Sequence, residues 1–234
     1  MATVVRNRFY VIAAMVLALI VFAGFTRTFY LRAWFDVPPI TMLLHLHAIA
    51  FTAWFVLFVI QTRLIAAQNY KTHMQLGIAG VVIAGLVTIL GFATAIISAG
   101  APRVRPMGMN SQQFVIVPLV AITLFAVFVG AAVAYRRRAD LHKRFMILAM
   151  IAVLGPPVAR LIAAMQAGAY FGPIQIGVAA AFLGWAIASD WVKYRTVHPV
   201  YSIGGGLLLL SFPVRILIAR TEAWENIGRW LAGM

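Results

Sequence analysis

The chain has 234 residues, 64% hydrophobic and 10% charged, against about 45–50% and about 25% in an ordinary soluble domain, so a soluble fold has too little interior to hide its apolar side chains. The absence of cysteine excludes disulfides, thiolate metal sites and cysteine nucleophiles. A net charge of +14 invites a nucleic-acid partner, but the cations sit in short flanks between apolar runs, which argues against nucleic acid and points to anionic lipid headgroups.

A hydrocarbon core of about 30 Å takes about 20 apolar residues per helical crossing. Seven such runs lie at 9–27, 40–64, 74–99, 114–135, 144–166, 173–193 and 199–220, predicting an all-α polytopic membrane domain over 1–220. No small-residue cleavage site follows the first run, which therefore reads as a retained span and not as a removable signal peptide. The connection at 28–39 holds Phe29, Tyr30, Trp34 and the Pro38-Pro39 pair, and amphipathic aromatics of this kind favour the headgroup zone. The segment 100–113 is the longest loop expected. After the last run, residues 221–234 alternate Trp224, Ile227, Trp230 and Leu231 with Glu222, Glu225 and Arg229. Thr221 is placed to cap a short amphipathic helix there, lying on the membrane surface.

With the N-terminus inside, the cytoplasmic flanks hold eleven of the nineteen basic residues and the opposite flanks six. The positive-inside rule predicts that asymmetry, so the expected orientation has the N-terminus cytoplasmic and the C-terminus outside. Three spans open alike, with His73-Met-Gln-Leu-Gly-Ile, His142-Lys-Arg-Phe-Met-Ile and His198-Pro-Val-Tyr-Ser-Ile. Pro157-Val-Ala-Arg160 in the fifth span also resembles Pro213-Val-Arg215 in the seventh. The pattern reads as one leading helix followed by three related helical hairpins. Gly204-Gly205-Gly206 lies within the seventh span, where close helix packing explains it better than phosphate binding does.

An ionisable side chain within a span is costly, roughly 2.5–3.5 kcal/mol for a mid-helix arginine on insertion scales, so each asks for a partner or a purpose. Two layers emerge. The inner one holds His73, His142 and His198, with Gln61 and Asp190 at similar depth. Either these imidazoles converge on a transition metal or a haem iron through neutral ring nitrogens, or each sits half-wet at the interface. Asp190 is either an orienting partner for such a histidine or a charge beside Lys193 and Arg195. The outer layer holds Arg160 and Arg215, with His45 and His47 near the start of the second span. The arginines either grip a carboxylate, phosphate or haem propionate or snorkel to headgroups. His45 shares a face with Thr41, Ala48 and Thr52, and His47 one with Phe51, Trp54, Phe58 and Gln61; His45 is the preferred ligand of the two. No lysine lies in mid-membrane, which excludes a retinal Schiff base, and no hydrolase or phosphate-loop motif is present.

At Lys71-Thr-His73-Met-Gln-Leu-Gly77 and Leu141-His142-Lys-Arg-Phe-Met the chain resembles bacterial inner-membrane proteins whose helices open on His-basic motifs, and more loosely haem A synthase and oxidase-assembly membrane proteins. That resemblance implies haem or metal ligation by helix-end histidines. Both outer histidines sit on one helix, unlike a di-haem cytochrome, so one centre is expected and not two. The leading expectation is a haem- or metal-binding protein in electron transfer or cofactor handling, with His45, His73, His142 and His198 as ligands and Arg160, Arg215 and Gln61 around an anionic group. The alternative is a non-enzymatic small-molecule transporter, or an accessory subunit packed against a larger membrane complex or another copy of itself.

Overall fold

The computed structural model describes residues 8–102 and 105–233; Arg6 and Arg103, counted above among the flanking charges, lie outside them. The described residues form helices and turns without a strand. In chain order the α-helices are α1 (Phe9–Phe25), α2 (Met42–Ala66), α3 (Tyr70–Ala99), α4 (Ser111–Phe114), α5 (Ile116–Ala134), α6 (Ala139–Ala152), α7 (Gly155–Ala164), α8 (Phe171–Tyr194), α9 (Gly205–Ala219) and α10 (Glu222–Leu231). Seven helical stretches among the described residues are long and apolar enough to cross a membrane: Phe9–Tyr30, Met42–Ala66, Tyr70–Ala99, Ser111–Ala134, Ala139–Ala164, Gly168–Tyr194 and Val200–Ala219. The protein is an all-α polytopic membrane protein, as its composition predicts.

The helices overrun the apolar stretches because a helix ends where its hydrogen bonds end and not where its hydropathy falls. α3 therefore begins three residues before His73, and α6 three before His142. The connection expected at 28–39 starts instead as a π-helical turn over Thr26–Tyr30 that prolongs the first span. The fifth span is broken. α6 stops at Ala152 and α7 restarts at Gly155 with prolines in its first turn, since Pro156 and Pro157 lack the N–H groups that would continue the ladder. Gln175, buried on α8, donates its Nε2 to the Gly155 carbonyl at 2.9 Å and so ties α8 to the start of α7 beside the break.

The chain forms two compact units, Met1–Val87 and Thr88–Met234. In the first, α1 packs on α2, burying Ala13, Ala14 and Leu17 on one side and Trp54, Phe55 and Phe58 on the other. The Tyr30 and Thr52 hydroxyls share a 2.8 Å hydrogen bond across the pair. In the second, α5 and α6 make the most extensive helix–helix contact, and α8 and the seventh span pack against α6. A Cβ on Gly204 would fall 2.6 Å from Leu148 Cδ1, and one on Gly205 the same distance from Leu183 Cδ2. Those two glycines let the seventh span approach both neighbours, as helix association in lipid requires where no hydrophobic drive separates core from solvent.

The C-terminal helix is capped at Thr221, whose Oγ1 accepts from Trp224 N at 3.2 Å. It is not merely laid on a surface. Glu225 accepts from Asn110 Nδ2 at 3.3 Å and Gln113 Nε2 at 3.2 Å, and Gly228 sits where a Cβ would come within 2.4 Å of the Gln112 carbonyl oxygen. The preceding connection is tied down as well, Arg105 donating to Ser111 Oγ and to the Ser98 carbonyl. These contacts make a polar collar at one end of the second unit. At its other end α5 and α8 finish and α6 and the seventh span begin, amid Arg136, Arg137, Arg138, Lys143, Lys193 and Arg195. That is the basic end.

Candidate functional site

Arg144, in the second turn of α6, is 3% exposed, and Asp190, in the last turns of α8, is 2% exposed. Arg144 Nε donates to Asp190 Oδ2 at 2.5 Å, and its NH1 donates to the Asp140 carbonyl one turn back. Two unpaired ions at this depth are untenable, so each side chain is the reason the other is tolerated. The Tyr194 and Tyr201 rings face the guanidinium at 5.5 and 6.0 Å, adding cation–π attraction.

Beside this pair the basic end holds a half-open cavity of about 250 Å³ lined by Asp140, Arg144, Tyr194, Thr196 and His198. Tyr194 and Thr196 are exposed, so the cavity meets the surface there. Tyr194 also carries two ammoniums: Lys143 Nζ and Lys193 Nζ lie 5.4 and 5.1 Å from its ring centre, and Lys143 donates to its hydroxyl at 3.3 Å. Asp140 lies 3.6 Å from Arg138 and 3.7 Å from His198 Nε2. His198 Nδ1 accepts from the Val200 N–H at 3.2 Å, which places the neutral ring's proton on Nε2, toward Asp140. Burial first, and then the Arg144 charge, hold this imidazole below its ordinary value of 6.5, with Asp140 and Asp190 pulling the other way.

The remaining sequence-nominated residues are distributed through both units. In the first, His45 Nδ1 donates to the Thr41 carbonyl at 3.1 Å with the Phe29 ring 6.3 Å away, and His47 lies 4.6 Å from the Phe51 ring. Gln61 Nε2 donates to the His73 carbonyl at 3.2 Å, joining α2 to α3 through the backbone and not through the imidazole. In the second, His142 Nδ1 donates to the Ala132 carbonyl at 2.8 Å, tying α6 to α5. Arg160 and Arg215 both turn back on their own helices. Arg160 NH1 donates to the Pro156 carbonyl at 3.1 Å; Arg215 donates to the Ser211 carbonyl and hydroxyl and to the Val117 carbonyl, with its guanidinium 4.2 Å from the Phe212 ring. Arg215 is 6% exposed and so is held inside the bundle.

Within either unit, no three His, Asp or Glu side chains among the described residues are close enough to share a metal ion. Of the nominated histidines, His198 alone lines the cavity. Asp190, which the sequence offers as a histidine's partner or a surface charge, instead partners Arg144, one of the eleven basic residues counted in the cytoplasmic flanks. Two signals were available: an in-span acid that needed a cation, and the Asp140–Arg144 spacing of one helical turn. Compared with protein-family models, curated proteins and solved structures, the chain finds no match in any of the three.

Proposed function

We propose that the protein is a non-enzymatic membrane protein that binds a small polar solute at the basic end, as the inward-facing mouth of a transporter in a bacterial inner membrane. One observation carries this reading: buried Arg144, paired with Asp190 behind it, contributes to the wall of a surface-reaching cavity instead of being sealed in a core. Buried pairs are often matched or bettered in stability, by about 1–4 kcal/mol, by apolar residues of similar volume. A pair kept beside polar, surface-reaching Tyr194 and Thr196 is better accounted for by recognition than by folding. The test is thermal unfolding of the purified protein against phosphate, acetate, methylammonium and glucose, repeated in Thr196→Val and Tyr194→Phe. At least one solute should raise Tm in the wild type, and that rise should shrink in both variants. A wild type indifferent to all four overturns the reading.

A second reading, ligation of haem or a metal by helix-end histidines, keeps one specific support. His45 and His142 each donate Nδ1–H to a backbone carbonyl, which leaves Nε2 as the lone-pair nitrogen in the way that oriented metal ligands adopt. Arg160 and Arg215 fit an anionic cofactor group less well, because both would first have to give up bonds within their own helices. A Soret band or stoichiometric metal in the purified protein, lost in His142→Ala, would favour this reading over the first.

A further inference from the structure

The following inference rests on the reading of the basic-end cavity as a ligand site and names the ligand's chemistry. We infer that the cavity lined by Arg144, Tyr194, Thr196 and His198 takes a phosphoryl group, carried either by an anionic phospholipid headgroup or by free phosphate.

Charge gives the first argument. Around the cavity stand four cations, Arg138, Lys143, Arg144 and Lys193, against two carboxylates, Asp140 and Asp190. Arg144 and Asp190 neutralise each other, which leaves Arg138, Lys143 and Lys193 against Asp140, so the local field favours an anion. The donor set gives the second. The lining residues Arg144, Tyr194, Thr196 and His198 come from α6, the end of α8 and the turn leading into the seventh span, and each carries a group able to donate to an oxyanion, His198 by giving up its present approach to Asp140. Donors arriving from three elements suit a tetrahedral oxyanion better than a planar carboxylate, which is served best by one planar fork.

Size and position agree. A cavity of about 250 Å³ is below the roughly 300–1,000 Å³ of drug-sized pockets, so it suits one small group and not an extended solute. It also lies where spans begin and end, and basic pockets between spans are a recurrent way of holding headgroup phosphates. Asp140 is the single carboxylate at the cavity without a buried partner of its own, at 49% side-chain exposure. Its charge opposes a dianion, so the site favours a singly charged phosphodiester or dihydrogen phosphate.

The experiment uses the full-length protein in detergent and in nanodiscs. Thermal unfolding is followed with inorganic phosphate against chloride at matched ionic strength, and in phosphatidylglycerol against phosphatidylcholine discs, with bound lipid counted by native mass spectrometry. Lys143→Gln and Lys193→Gln should weaken binding about tenfold or more, as loss of a charged contact does. Asp140→Asn should strengthen it several-fold, an opposite sign that general destabilisation does not produce. Stabilisation by phosphate with these signs supports free phosphate as the source. Stabilisation confined to phosphatidylglycerol with the same signs supports the headgroup. If neither protects while acetate or methylammonium does so in a Thr196-dependent way, the phosphoryl inference is overturned and the ligand site stands. If no probe protects, both are overturned.

Discussion

Arg144 and Asp190 lie 46 residues apart in sequence and 2.5 Å apart in the fold, joining α6 to α8 at a depth where neither charge could persist alone. Asp190→Asn should therefore cost about 3–5 kcal/mol, because it leaves a guanidinium buried without its counter-ion. Arg144→Met combined with Asp190→Leu should recover most of that loss. Thermal melts of the two singles and the double give the coupling directly; a double as unstable as the sum of the singles would show that the pair is not one unit.

Gly228 is the most constrained glycine in the collar. Ala at this position would place a methyl carbon 2.4 Å from the Gln112 carbonyl oxygen and 2.8 Å from its carbon, both backbone atoms with little freedom to move. Gly228→Ala should cost about 1–3 kcal/mol and lift α10 from α4. Gly205→Ala meets only the tip of Leu183 and should cost less. Hydrogen exchange over residues 222–231 reads the difference, and equal protection in both variants would contradict it.

The His198 imidazole is held below 6.5 in the fold, so on acidification the unfolded chain takes up a proton before the folded one does. Its contribution to stability is intact above 6.5 and is lost as pH falls below that value toward the folded pKa. Protonation would also remove the Nδ1 lone pair that accepts from Val200 N. A plot of Tm against pH should fall between 7 and 5 with a component that His198→Gln removes; identical slopes for the two proteins would refute it.

In the first unit, the Tyr30–Thr52 bond links the end of the first span to the second. Tyr30→Phe and Thr52→Val should each cost about 0.5–1.5 kcal/mol, with little further loss in the double, since side-chain hydrogen bonds in membrane bundles average about 0.6 kcal/mol. A full melt series on the four proteins checks it.

The seven spans were legible because lipid imposes a length, and twenty apolar residues in a row have few other uses. The Thr221 cap and the packing role of Gly204 and Gly205 were legible too, since cap chemistry and small-residue contacts are local. Arg144 was not. It follows Lys143 and lies six residues beyond Arg138, so in one dimension it belongs to a basic flank, and only helix packing turns it inward toward Asp190. Arg160 and Arg215 show the reverse limit. Their cost in lipid was readable, but the carbonyls that meet it lie mostly on their own helices, which no side-chain pattern announces.

The bonds from Asn110 and Gln113 to Glu225 close loops of 115 and 112 residues, with four crossings between their ends. They cannot form until the last of those crossings is in place, so α10 docks only after all four have been threaded. A chain stopped at Arg220 keeps every one of those crossings yet lacks the contacts that α10 makes on Gln112 and Gln113.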